Sequence, residues 1–183
     1  GLGDVYKRQE LPFHIRTHCD NLSSKDAISS EVPLNEKLYP TKVIAEGKVK
    51  DGTIDCVVTD HAPHTLEAKS VGYPKAPAGM PGVETSLPLM LTHAIDGKCS
   101  VSDVVRWMCE GPAKVYNIEN KGSLIEGYDG DLTLVDLETR RKIVDADTWT
   151  KVGWTPYDGL EITGLPMWTI VDGIRVLSRT KIG

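Results

Sequence analysis

An acidic residue and two histidines lie close together in the string Thr59-Asp60-His61-Ala62-Pro63-His64. The run Ile54–Val58 that precedes the string is apolar and rich in β-branched residues, which favours a short buried strand over a helix. Pro63 then ends regular pairing. Parallel α/β enzymes place catalytic side chains where such a strand reaches solvent. The string therefore predicts an active site, and the alternative is that Asp60 caps a turn beside two ordinary loop histidines.

The elements around this string are predicted from local patterns. A loop over residues 65–82 is rich in Gly and Pro, and long loops inside compact domains are usually functional. Apolar spacing predicts a helix over 84–95 with Pro88 in its first turn and Gly97 beyond its end. A second helix is predicted over 101–110, capped by Ser100 or Ser102, with a core face formed by Val104, Val105, Trp107 and Met108. A short helix should follow from Pro112 to Tyr116.

The last third of the chain changes to a period of two, which predicts strands. Residues 131–137 read as one strand, and residues 168–177 read as a hairpin that turns on Asp172-Gly173. Trp149, Trp154 and Tyr157 are expected to pack in a core rather than to bind a ligand.

Composition favours a soluble globular protein, with 40% hydrophobic residues, 26% charged residues and a net charge of -5. The negative charge argues against a nucleic-acid partner, and no apolar run approaches the roughly 20 residues of a membrane span. The four cysteines are scattered without a C-x-x-C pair, so no zinc knuckle or disulfide framework is indicated. We expect a cytoplasmic protein.

The motif string and several later segments resemble the dihydroorotase family of amidohydrolases. Outside the string itself, the matching segments are residues 51–55, 67–69, 76–89, 111–114, 121–132 and 163–173. The resemblance implies an α/β fold that is the C-terminal part of a (β/α)8 metal-dependent barrel, plus a small flanking β-rich domain. It places the barrel elements in residues 10–120 and the β-rich domain in 121–183. Residues 1–9 have no counterpart in the family and are expected to be an adapter-like, non-native segment, or else a divergent surface segment.

The resemblance also implies roles for individual residues in a site with two zinc ions. Asp60 matches the last metal ligand, which also takes a proton from the attacking water and returns it to the leaving nitrogen. His18 aligns with a metal-binding histidine of the family, and the alternative is an ordinary histidine at the end of a strand. His61 is expected to support Asp60 by a hydrogen bond rather than to bind metal.

Substrate contacts are implied in the same way. His64 would lie beside the carboxylate of dihydroorotate, and the backbone around Pro77, Ala78 and Gly79 would contact the pyrimidine ring. The implied reaction is the reversible hydrolysis of dihydroorotate to N-carbamoyl-aspartate, and the implied protein partners are a second copy of the enzyme or aspartate transcarbamoylase.

Two departures from the family keep other functions open. The five histidines include no His-x-His pair, so most zinc ligands are missing from this chain, which by itself is expected to be incomplete and inactive. Glu31 and Asn35 also replace an Asn and an Arg of the family's substrate pocket. The alternatives are another cyclic amidase, such as an allantoinase or a dihydropyrimidinase, or an inactive dihydroorotase-like scaffold subunit.

Overall fold

The computed structural model describes residues 14–17, 49–71, 75–77 and 79–178, with only the backbone described for 14–17. The strands are β1 (His14–Thr17), β2 (Ile54–Val58), β3 (Leu132–Lys142), β4 (Glu161–Val171) and β5 (Ile174–Ser178). The helices are α1 (Leu66–Ser70), α2 (Val83–Ile95), α3 (Val101–Val105) and α4 (Gly111–Val115). A π-helical turn spans Arg106–Glu110 and a 3₁₀ turn spans Asp145–Asp147. None of the helices in these ranges combines the length and the apolar character needed to cross a membrane.

Strand β2 forms at its predicted bounds, but its pairing differs from the prediction. It pairs with β1 in the antiparallel direction, with His14 opposite Val58 and Arg16 opposite Cys56, whereas a parallel arrangement was expected. Within the described ranges, these two strands form a sheet of their own. An antiparallel ladder has the more favourable hydrogen-bond geometry, and two strands alone lack the neighbours that a parallel sheet needs. The pairing direction was not encoded in the local pattern of β2.

Helix α2 confirms the predicted helix and corrects the position of Pro88. The helix begins at Val83, so Pro88 lies in its second turn. At the other end, Gly97 N–H donates to Ala94 and Lys98 N–H donates to His93, and Gly97 has φ +75°. This is the Schellman ending that a glycine after a helix predicts.

The predicted helix over 101–110 is interrupted. Ser100 caps α3, and its side chain and that of Asp103 form a reciprocal capping box. From Arg106 onward the backbone widens into the π-helical turn before α4 begins. Val104 and Trp107 are buried as predicted, but Val105 is 43% exposed.

Strands β3, β4 and β5 form an antiparallel sheet in that order. The predicted hairpin is confirmed, since Asp172 and Gly173 both have positive φ and join β4 to β5. Strand β4 comes unusually close to α2 at Gly164, where a Cβ atom would lie 2.8 Å from Leu91 Cβ. Thr163 N–H donates to Thr92 Oγ1 at 2.9 Å beside this contact. Leu91 and Leu165 are both buried in this core.

The described residues divide into two compact units. The first unit contains those up to Ser86 together with Val144–Asp158, and the second contains Leu87–Ile143 and those from Gly159 onward. The candidate site described next lies in the first unit, and the three-stranded sheet lies in the second. The division into residues 10–120 and 121–183 stays a prediction.

Candidate active site

Asp60 follows the carboxyl end of β2 and is exposed. The strand that carries it is anchored by apolar side chains, with Cys56 completely buried and Ile54 and Val57 each 6% exposed. A firmly packed strand that ends at an exposed residue fixes the backbone position of that residue. Asp60 thus lies at the exposed end of a buried strand, and its roles as catalytic residue and metal ligand stay predictions.

Two segments lie side by side after this strand. His61 and Met80 form a parallel bridge, and Ala62 N–H donates to Met80 O at 3.2 Å. Gly79 packs so tightly on Ala62 that a Cβ atom there would lie 2.6 Å from both the Cβ and the carbonyl oxygen of Ala62. The string 59–64 and the loop that contains Pro77 and Gly79 thus lie side by side, and they are called here the two walls of the candidate site.

His61 joins the two walls at the start of α2. Its Nδ1 accepts hydrogen bonds from the backbone N–H groups of Gly82 and Val83, both at 3.2 Å. A ring nitrogen that accepts carries no proton, so the ring proton lies on Nε2. The imidazole therefore satisfies two N–H groups at a helix N-terminus, which have no partner within the helix. The predicted support of Asp60 by His61 stays a prediction.

His64 is held through its backbone. Trp154 Nε1–H donates to the carbonyl oxygen of His64 at 2.8 Å, and the contact is partly buried. Within the part of the chain that the structure describes, the half-buried imidazole of His64 makes no hydrogen bond of its own.

Lys69 on α1 holds the other wall. Its Nζ donates to Pro77 O at 2.9 Å. Partial burial lowers the pKa of Lys69 from its ordinary value of 10.5, because taking an ammonium group out of water disfavours its charged form. This contact fixes the backbone at one of the residues predicted to contact the substrate.

The structure brings together most of the predicted site residues that it describes. Asp60, His61 and His64 follow β2, and Pro77 and Gly79 lie on the adjacent segment. Ala78 and His18 fall outside the described residues, as do Glu31 and Asn35. Sequence reasoning missed the roles of Lys69 and Trp154. Two signals pointed to these roles. Lys69 lies in one of the segments that resemble the dihydroorotase family, and a partly buried indole N–H such as that of Trp154 usually has a hydrogen-bond partner.

The described residues do not by themselves form a metal site. Over those ranges, no three His, Cys, Asp or Glu side chains are grouped so that they could hold a metal ion. A hydrolytic zinc site has three protein ligands, and Asp60 supplies one carboxylate. The fit of the described residues to a two-zinc centre is therefore incomplete.

Known proteins share both the sequence and the fold of this chain. Residues 18–172 match the Amidohydrolase family. A dihydroorotase from Staphylococcus aureus (strain Mu50) is 34% identical over 163 residues, which cover 88% of this chain and 38% of the relative. A dihydroorotase from Pyrococcus furiosus is 40% identical over 150 residues, which cover 80% of this chain and 35% of the relative. The chain thus spans well under half the length of these relatives.

A solved structure gives the same grouping. The L-hydantoinase (dihydropyrimidinase) from Arthrobacter aurescens superposes with a TM-score of 0.70 at 31% identity, covering 89% of this chain and 38% of that protein. The family match extends over most of the sequence, including the β2 strand and both walls of the site. This chain belongs to the amidohydrolase family.

Proposed function

We propose that the chain is the C-terminal part of a dihydroorotase, which hydrolyses the cyclic amide of dihydroorotate reversibly to N-carbamoyl-aspartate. The observation that carries the proposal is the bridge between His61 and Met80, which sets the Asp60–His64 string beside the loop with Pro77 and Gly79. An exposed carboxylate then lies on one wall, together with an imidazole that makes no hydrogen bond to the described residues. Backbone groups suited to face a flat ring lie on the other wall. The identity to dihydroorotases supports the choice of substrate.

Hydrolysis of a cyclic amide requires a proton to leave the attacking water and a proton to reach the leaving nitrogen. The Asp60 carboxylate performs the first transfer as a general base and the second as a general acid. His64 donates a hydrogen bond to the substrate carboxylate and so sets the orientation of the ring. Pro77, Ala78 and Gly79 contact that ring through the backbone.

The complete enzyme would require zinc for this reaction. Two zinc ions would lower the pKa of a bound water and polarise the amide carbonyl. Asp60 and His18 are the ligands that this chain would offer, and at least one more protein ligand per hydrolytic site must come from elsewhere. The isolated chain should therefore bind at most one zinc ion, and weakly.

The architecture is proposed on the same basis. Strand β2, α1 and the site loops are assigned to the C-terminal end of a (β/α)8 barrel, and the sheet of β3, β4 and β5 to the small flanking domain. A cytoplasmic location, a homodimer and association with aspartate transcarbamoylase stay predictions for the complete protein.

A second cyclic amidase is favoured by one observation, the likeness to the L-hydantoinase (dihydropyrimidinase). An inactive scaffold subunit is favoured by another, the lack of a metal-holding group among the described residues. Turnover of dihydroorotate, allantoin and dihydrouracil by the longest natural polypeptide that contains this chain separates the three. Preference for dihydroorotate supports the proposal, preference for another ring replaces the substrate, and no turnover of any ring favours the scaffold.

Substitution of Asp60 tests the chemistry. Asp60→Asn should lower kcat by at least about 10²–10⁴-fold, the usual worth of general acid–base catalysis, without unfolding the chain. Asp55→Asn is a matched control, because Asp55 is an exposed carboxylate within β2, the strand that precedes Asp60. Equal losses in the two variants would remove Asp60 from the chemistry.

Substitution of His64 tests recognition. His64→Ala should weaken the binding of dihydroorotate more than that of dihydrouracil, which has the same ring without the carboxylate. The two ligands are compared by their inhibition constants. A loss of the same size for both would remove His64 from the substrate carboxylate.

A further inference from the structure

Trp154 lies in the segment 144–158, which connects β3 to β4 and belongs to the same compact unit as the candidate site. Its indole N–H reaches the carbonyl oxygen of His64 across ninety positions of sequence, at 2.8 Å. This distance is at the short end for an N–H to oxygen hydrogen bond. Within the described ranges, it is the hydrogen bond that His64 makes.

The segment around Trp154 is fixed by its own hydrogen bonds. Thr155 N–H donates to Asp145 Oδ1 at 2.6 Å, and Asp145 N–H donates to Asp158 Oδ1 at 2.9 Å. Thr155 and Tyr157 are almost completely buried. The residue that follows Trp154 is thus anchored, so the indole is presented from a rigid backbone rather than from a loose loop.

The rest of the segment shows that this contact is particular to Trp154. Trp149 belongs to the same segment but its side chain is 78% exposed, contrary to the predicted core position. Trp149 contacts the first turn of α2 through its backbone, because its N–H donates to Glu84 Oε2 at 2.9 Å. The segment therefore contains one tryptophan whose indole N–H binds the His64 carbonyl and one whose side chain is largely exposed.

We propose that Trp154 is a positioning residue for His64. It fixes the His64 carbonyl, and therefore the Cα from which the imidazole projects, while the ring nitrogens make no hydrogen bond to any other residue that the structure describes. The ligand that benefits is a small cyclic amide with a carboxylate, so this inference rests on the proposed function. An indole suits the task because its N–H can only donate, and a backbone carbonyl can only accept.

The test is Trp154→Phe, which keeps an aromatic ring and removes the donor, with Trp149→Phe as the matched control. In the longest natural polypeptide that contains the chain, Trp154→Phe should raise KM for dihydroorotate roughly 2- to 12-fold, the range for loss of one ordinary hydrogen bond, while kcat changes little. Inhibition by dihydrouracil should not change. Trp149→Phe should change neither constant.

If Trp154→Phe weakens the binding of dihydroorotate and dihydrouracil equally, or lowers kcat with KM unchanged, Trp154 only supports the fold and the inference is overturned. A second measurement does not depend on turnover. In NMR spectra of the 183-residue chain, Trp154→Phe should shift the imidazole C–H resonances of His64, and Trp149→Phe should not. If the parent protein hydrolyses no dihydroorotate but this shift is seen, the proposed substrate fails and the positioning role stands; an unmoved His64 resonance overturns the role itself.

Discussion

Gly79→Ala should separate the two walls of the site. Gly79 has φ +101°, and a Cβ atom there would lie 2.6 Å from the Cβ and from the carbonyl oxygen of Ala62. A side chain in this backbone conformation costs about 1–3 kcal/mol. Forcing a methyl group into a filled contact costs a further ~1–3 kcal/mol, and the backbone oxygen cannot move aside as a flexible side chain would.

Gly52→Ala isolates the steric part of this cost. Gly52 also has a positive φ, +81°, but no atom lies within 4 Å of the position of its Cβ. Both substitutions change the entropy of the unfolded chain in the same way, so that contribution cancels in the comparison. Gly79→Ala should therefore be more destabilising than Gly52→Ala by about 1–3 kcal/mol.

The assay is urea unfolding of both variants, together with hydrogen exchange at Ala62. The Ala62 N–H donates to Met80 O across the two walls, so its protection reports directly on their contact. Gly79→Ala should reduce this protection and Gly52→Ala should leave it unchanged. Equal unfolding free energies and equal protection in the two variants would refute the claim that Gly79 is needed for this close approach.

Three further predictions concern stability. Hydrogen bonds with Lys121 and with a backbone N–H lower the pKa of Asp131 from 3.8. The contribution of the ionised Asp131 to folding stability is therefore present above pH 3.8 and is lost as the pH falls through the pKa of the folded state. The difference in urea midpoint between wild type and Asp131→Asn should shrink as the pH falls through this range, and a constant difference would contradict the prediction. Burial lowers the pKa of Lys69, so the unfolded chain binds the Lys69 proton more tightly than the folded chain does. The free energy of unfolding of the wild type should therefore rise relative to that of Lys69→Met as the pH rises toward 10.5. Parallel profiles of unfolding free energy against pH for the two proteins would contradict this. Ser100→Ala should cost about 1 kcal/mol through loss of the α3 cap, and Ser102→Ala should cost much less, as thermal unfolding of the two variants will measure.

Features set by local chemistry were predictable from the sequence. The Asp172-Gly173 pair defines the β4–β5 turn because both residues accept positive φ, and Gly97 ends α2 for the same reason. The apolar run 54–58 predicted the bounds of β2 correctly, and Asp60 therefore lies just after the strand, as predicted.

Features set by distant partners were not predictable. The antiparallel pairing of β2 with β1 depends on which strands are present, and the sequence of neither strand identifies the strand that pairs with it. The predicted core face included both Val104 and Val105, but neighbouring helix positions point about 100° apart, and Val105 is exposed while Val104 is buried. Trp154 was read as a packing residue because its partner, the His64 carbonyl, is a backbone atom with no mark in the sequence.

The contacts that hold the candidate site are directed at backbone atoms. Trp154 donates to the carbonyl of His64, Lys69 donates to the carbonyl of Pro77, and His61 accepts from backbone N–H groups at the start of α2. Because these bonds fix the walls without using the imidazole of His64, the positions of the walls and the chemistry between them are set by different side chains. Loss of a wall contact should therefore act first on substrate binding, and loss of Asp60 on turnover.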